Sequence, residues 1–182
     1  MEPKRYILTG TPGSGKTCII NELRLKGYFT INEAATDIIA EEQKLKNKEP
    51  WQDPKFLEKI IILQKERQFK ADLARERLQF YDRSPICTLA LANFLNFPIS
   101  EMLNGEIERI KKLALYQKQV FFIENLGHCT ETDARKISFK EALVFEKLHR
   151  ETYSKLGYNC VSIPANDLAA RVEQILALLK NN

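Results

Sequence analysis

The sequence predicts an α/β fold built on a parallel sheet. Two observations carry this. Short apolar runs alternate with longer amphipathic stretches along the chain, the order that sets a crossover helix between successive parallel strands. A glycine-rich turn beginning at Gly10 separates the first apolar run from the first amphipathic one.

Tyr6-Ile7-Leu8 reads as a short buried strand, and Gly15 to Lys26 as a helix that Gly27 stops. Tyr28 to Ile31 reads as a second strand, and Glu33 to about Lys46 as a helix. After the break at Glu49-Pro50-Trp51, Asp53-Pro54 supplies a capping carboxylate and a first-turn proline for a helix to about Arg77. Leu78 to Tyr81 is a third strand ending at Asp82, and Ser84-Pro85 starts a helix by the same device. A charged helix follows over Glu101 to Tyr116. Val120 to Ile123 is the clearest strand. Asn125 to Ile137 is polar and irregular. Ser138 and Glu141 have capping-box spacing for a helix to about Leu156. Cys160 to Ile163 is the last strand and Asp167 to Leu179 the last helix.

The 182 residues suffice for a single domain with a sizeable core. The net charge of +4 comes from basic residues spread along the chain. No concentrated basic patch marks a nucleic-acid binder, while the mild positive balance suits an anionic substrate. Cys18, Cys87, Cys129 and Cys160 lie far apart, without C-x-x-C spacing. That argues against a zinc site or a disulfide framework and for a reducing, cytoplasmic compartment. His128-Cys129 reads as a loop coincidence. The first strand begins within a few residues of Met1, so no signal peptide is expected. No apolar run approaches the ~20 residues that span a bilayer.

Gly10-Thr11-Pro12-Gly13-Ser14-Gly15-Lys16-Thr17 matches G-x-x-x-x-G-K-[ST] at every fixed position, between a strand and a helix. Glycines let the backbone curl so that successive N–H groups face phosphate oxygens. The following helix adds its N-terminal partial charge. Lys16 would reach the β- and γ-phosphates, and the Thr17 hydroxyl would ligate Mg²⁺. Cys18 follows directly and completes the nucleotide-binding stretch. Chance produces the four fixed positions in well under ~1% of chains this long.

Asp82-Arg83-Ser84 follows the third strand. A carboxylate at the end of a strand beside the P-loop strand can hold Mg²⁺ through water, or take a proton from an acceptor hydroxyl. Arg83 is placed to hold an anionic or polar acceptor, and Ser84 is a helix cap. Glu33, just past the second strand, is either a second base candidate or a first-turn acid supporting its helix. Lys65, Arg67 and Lys70 read as a solvated helix face with Glu66. Trp51, Phe56, Gln64 and Phe94 either line an acceptor pocket or belong to core and helix surface, the commoner use of such residues. Residues 125–137 read as a lid. Its Arg135 either meets the transferring phosphoryl group on closure or is merely solvated.

The P-loop resembles the G-x-P-G-x-G-K-T loop of small-molecule and nucleoside-monophosphate kinases. Glu33-Ala34-Ala35 with Asp37-Ile38-Ile39, Pro50-Trp51 with Asp53-Pro54, Phe56 and Gln64, Asp82-Arg83-Ser84, Gly157-Tyr158 and Ile163-Pro164 narrow the likeness. Over nearly its whole length the chain is similar to the AAA-type ATP-binding family that includes the ribosylnicotinamide kinase domain of the bifunctional NAD-biosynthesis regulator. The resemblance implies a three-layer, kinase-type P-loop fold with a five-stranded parallel sheet. It also implies ATP and Mg²⁺ on Lys16 and Thr17, Asp82 near the metal or as base, Glu33 facing the acceptor, and Arg135 in the lid. One departure is Thr36, where the family commonly carries arginine.

These features favour an ATP-dependent kinase of a nucleoside or similar small hydroxyl metabolite. A nucleotide-binding switch and a nucleotide hydrolase are the alternatives, the latter sharing most parts with a kinase. A GTPase would carry N/T-K-x-D, but Asn47-Lys48-Glu49-Pro50 ends in proline and comes too early. A full AAA+ motor is not expected, for want of its helical lid domain and sensor segments.

Overall fold

Five strands, Lys4–Thr9 (β1), Phe29–Ile31 (β2), Leu78–Asp82 (β3), Gln119–Ile123 (β4) and Asn159–Ile163 (β5), pair in the order β2-β3-β1-β4-β5, all parallel. The computed structural model describes residues 2–74, 76–127 and 137–180. Its helices are Lys16–Leu25 (α1), Ala34–Lys44 (α2), Lys55–Leu73 (α3), Pro85–Phe94 (α4), Glu101–Lys112 (α5), Phe139–Lys155 (α6) and Leu168–Lys180 (α7). A 3₁₀ turn covers Pro50–Gln52. This is the expected three-layer, five-stranded α/β architecture.

The strands are apolar on both faces because both faces are covered. Tyr6 and Leu8 of β1 join Phe80, Phe121, Ile123 and Ile163 in a core closed by Ile19 and Leu23 of α1 and Val172 and Ile175 of α7. Ile7, one residue out of phase, joins Tyr81 and Val120 in a larger core under α2 to α6. Each fully buried Leu or Ile side chain contributes roughly 1.5–3 kcal/mol, so this alternation fixes which face of β1 meets which layer.

Two helix starts follow the predicted caps: Ser84 accepts from Ile86 N at 3.2 Å, and Ser138 with Glu141 forms the full capping box. A further cap is Ser100, which accepts from Leu103 N at 3.3 Å. Other ends differ. Helix α3 stops at Leu73 instead of Arg77, because the chain must extend to join the sheet. Lys4 N donates to Arg77 O at 2.8 Å, and the Gln79 side chain donates to Ala71 O at 2.9 Å, capping the helix. Helix α5 stops at Lys112 instead of Tyr116. Ala114 turns left-handed at φ 45°, Leu115 N returns to Ile110 O, and Leu115 and Tyr116 drop into the core.

Arg67 corrects the reading of a solvated face. Its guanidinium donates to Asn32 O at 3.0 Å and Glu33 O at 2.8 Å, and pairs with Asp37, tying α3 to the start of α2. Lys70 and Glu66 do form an exposed pair at 2.5 Å.

Candidate active site

The C-terminal ends of β1, β2 and β3 open into a cavity of about 480 Å³, the crevice where open α/β sheets hold ligands. The P-loop is one wall: Pro12, Gly13, Gly15, Lys16, Thr17 and Cys18 all line it. Only glycine fits at position 10. Its φ is 134°, and a Cβ there would sit 2.2 Å from Ile123 O at the end of β4. The loop is thus pressed against the neighbouring strand.

Lys16 is buried and folded back on its own loop. Its Nζ donates to Gly10 O at 3.1 Å, Thr11 O at 2.6 Å and Ser14 Oγ at 3.1 Å. Burial pushes its pKa down to about 7, and nearby Arg83 adds to this against Asp82 and Glu33. A buried ammonium with only neutral acceptors is poised for an anion.

Asp82 lies opposite Leu8 of the P-loop strand. Thr17 Oγ1 donates to Asp82 Oδ2 at 3.2 Å, while Oδ1 is buried without a hydrogen-bond partner. Burial, then the charge of Glu33, raises its pKa to about 6, against Lys16 and Arg83. A hydroxyl beside a free carboxylate oxygen is a donor set that fits a small hard cation. Thr17 and Asp82 are therefore the residues able to hold Mg²⁺.

Glu33 stands at the N-cap position of α2 but makes no side-chain cap hydrogen bond. Its carboxylate turns to the cavity instead. Arg83 Nε lies 2.5 Å from Oε1, and Thr36 donates to Oε2 at 2.9 Å. Burial would raise the Glu33 pKa, but Arg83, Lys16 and the Thr36 hydrogen bond together hold it below the usual range. Arg83 itself has φ 70°, a left-handed conformation that costs a non-glycine residue on the order of 1 kcal/mol. Arg83 N donates to Leu8 O at 3.0 Å, fixing this turn onto β1.

His149 is a residue of the site that the sequence reading missed. It is fully buried on α6, and its Nε2 lies 3.3 Å from Arg83 Nη1. Its Nδ1 lies 2.9 Å from Phe145 O. Burial, then Arg83, lowers its pKa to about 3. The ring is neutral, so Nδ1–H donates to Phe145 O and Nε2 accepts from Arg83. Arg83 is held between Glu33 and His149. The only trace of this face in the sequence is the spacing of Phe145, His149 and Tyr153, four apart.

The rest of the cavity is mostly apolar. Trp51, Phe56 and Phe94 line it with Ile39, Ile60 and Phe145. Gln64 lines it too, and Thr88 donates to its Oε1 at 3.1 Å. All four pocket candidates therefore sit together, with Phe145, Thr88 and Cys87 as unforeseen neighbours. Arg135 and the His128-Cys129 pair lie outside the described residues. Of segment 125–137, only residues 125–127 and Ile137 are described.

The fold and the loop define a P-loop domain of the kinase architecture. Over residues 5–171 the chain matches the AAA domain family, and it belongs to that family. No curated protein matches it. Among solved structures it resembles deoxyadenosine kinase from M. mycoides with the products dCMP and dCDP, with a TM-score of 0.66 and 16% identity over 98% of this chain and 100% of that one. It also resembles the NadR protein in complex with NR, with a TM-score of 0.72 and 13% identity over 98% of this chain and 50% of that one. This chain thus spans half of NadR. Shikimate kinase from Acinetobacter baumannii in complex with shikimate gives a TM-score of 0.55 and 17% identity, over 100% of this chain and 95% of that one. These likenesses establish a shared fold.

Proposed function

We propose that this chain is an ATP- and Mg²⁺-dependent kinase that phosphorylates a hydroxyl group of a nucleoside or similar small metabolite. The observation that carries this reading is the cavity, which joins a complete P-loop to an apolar chamber with Glu33 and Arg83 between them. A switch or a simple hydrolase needs no such chamber. That kinases of deoxyadenosine and shikimate share the architecture supports the reading.

In this reading the loop amides and Lys16 bind the phosphates, and Lys16 exchanges its loop carbonyls for phosphate oxygens. Asp82 and Thr17 would hold Mg²⁺, which supplies positive charge against the transferring group when bound. Glu33 is ionised and orients the acceptor hydroxyl. The acceptor oxygen bonds to the γ-phosphorus, the bond to the ADP oxygen breaks, and the hydroxyl proton passes to Glu33. Arg83, braced by His149, fixes the Glu33 carboxylate. Trp51, Phe56 and Phe94 enclose the body of the acceptor, and Gln64 offers it an amide.

Residues 1–182 act as one domain in this account, with ATP and the acceptor as partners, no nucleic acid or membrane, and a cytoplasmic location. The spread of basic residues supports it. No helix among the described residues is long and apolar enough to cross a membrane.

The test is a phosphate-donor assay over a panel of nucleosides and small hydroxyl metabolites, with mass spectrometry of products. One acceptor class gaining a phosphoryl group as ATP is consumed is the expected result. ATP turned over only to inorganic phosphate across the panel would make the protein a hydrolase.

A further inference from the structure

Arg171 of α7 approaches the P-loop from behind. It is 3% exposed, and its Nη1 donates to Ser14 O at 2.8 Å. Its Nη2 donates to Glu124 O at 3.0 Å, just past the end of β4. Nε is buried without a partner, and among the described residues no carboxylate forms an ion pair with this guanidinium. The nearby Glu124 carboxylate pairs with Arg150 at 3.4 Å. A guanidinium stays charged, and burial disfavours that charge, opposed by a Glu124 carboxylate that is shared with Arg150. Negative charge on the far side of the loop would offset that cost.

The local covalent geometry gives this contact a purpose. The peptide joining Ser14 to Gly15 is trans, so its C=O and N–H point in opposite directions. Drawing Ser14 O back onto Arg171 turns the Gly15 N–H the other way, on the side where Gly15 lines the cavity. Gly15 holds φ 85°, and a Cβ there would lie 3.2 Å from Arg171 Nη1. Glycine at this position therefore also admits the guanidinium.

We infer that Arg171 is a positioning residue for phosphate binding: it locks the Ser14–Gly15 peptide with its N–H toward the nucleotide and ties the loop to the end of β4. This rests on the nucleotide-binding half of the proposed function and not on phosphoryl transfer. Arg171 touches the loop and acts through it.

The experiment titrates ATP and inorganic tripolyphosphate into the wild-type protein, Arg171→Met and Arg171→Lys by calorimetry. The Gly15 amide is followed by ¹H–¹⁵N NMR. Arg171→Met is expected to weaken both probes about tenfold or more, by the same factor, since each draws on the same charge-assisted contact. Its Gly15 amide should shift and exchange faster. Arg171→Lys, which keeps the charge but not the forked donor, should show part of both effects, and it serves if Arg171→Met does not fold. Weaker ATP binding with unchanged tripolyphosphate binding would overturn the inference, since Arg171 would then serve the base or ribose. An unmoved Gly15 amide in either variant would overturn it too. If the wild-type protein binds neither probe, the nucleotide reading itself fails, and the Gly15 amide still decides whether Arg171 holds the loop.

Discussion

Thr17 Oγ1 and Asp82 Oδ2 meet at 3.2 Å across the junction of α1 and β3, and the second oxygen of Asp82 is left buried without a hydrogen-bond partner. A hydroxyl from the P-loop and a carboxylate from the adjoining strand thus share one point. The metal-dependent part of ATP binding should depend on that pair. In the wild-type protein Mg²⁺ should tighten ATP binding. Asp82→Asn should remove about tenfold or more of that gain, while leaving metal-free ATP binding within a few-fold. Calorimetry with and without Mg²⁺ checks this. A full Mg²⁺ gain in the variant would leave Asp82 no part in holding the metal.

The same carboxyl makes stability depend on pH. Its folded pKa is about 6, above the ordinary aspartate value of 3.8, so the fold disfavours its ionised form. That cost is absent below about pH 4 and complete above about pH 6. Asp82→Asn should therefore be more stable than the wild type at pH 7.5, by on the order of 2 kcal/mol, with the advantage vanishing toward pH 4. Denaturant melts at both pH values measure it. An advantage independent of pH would assign it to packing.

Lys16 supplies a third measurement. Its pKa is pushed down to about 7 by burial, and a phosphate beside it favours the charged form. Nucleotide binding at pH 8 should then take up close to one proton, seen by calorimetry in buffers of different ionisation enthalpy. Lys16→Ala should abolish the uptake and cut turnover on the order of 10²-fold or more, with little change in thermal melting.

Glu33 should control chemistry more than nucleotide affinity. Glu33→Gln is expected to lower turnover at least tenfold with ATP binding within a few-fold. Thr36→Ala removes one hydrogen bond that lowers the Glu33 pKa. The acidic limb of the rate profile should therefore move to higher pH. A profile that stays in place would mean that Glu33 is not the group titrating.

What was legible in the sequence was whatever depends on neighbours along the chain. The P-loop is eight consecutive residues, and the glycine positions and the lysine that mark it all lie within that stretch. Asp82 and Glu33 could be found because one closes a strand and the other lies just past one, and strand ends converge on one edge. Ser84 and Ser138 cap where their spacing says they should. Arg171 was invisible, since it meets Ser14 across 157 positions and reads as one more cation on an amphipathic helix. His149 was hidden the same way, 66 positions from Arg83. Arg67 looked solvated because helical periodicity carries no record of which loop lies opposite. The early ends of α3 and α5 follow from sheet pairing and core filling, which local propensity does not encode.

The sheet order has a consequence for how such a protein can diversify. With β1 in the centre, the cavity wall built from α2, α3 and α4 hangs on the β3 flank, while the Arg171 brace and the end of β4 stand on the other. Trp51, Gln64 and Phe94 line the cavity and make neither of the Arg171 hydrogen bonds that brace the loop. If the proposed kinase reading holds, acceptor choice and phosphate grip can be altered separately, because the two are built on opposite flanks of the central strand.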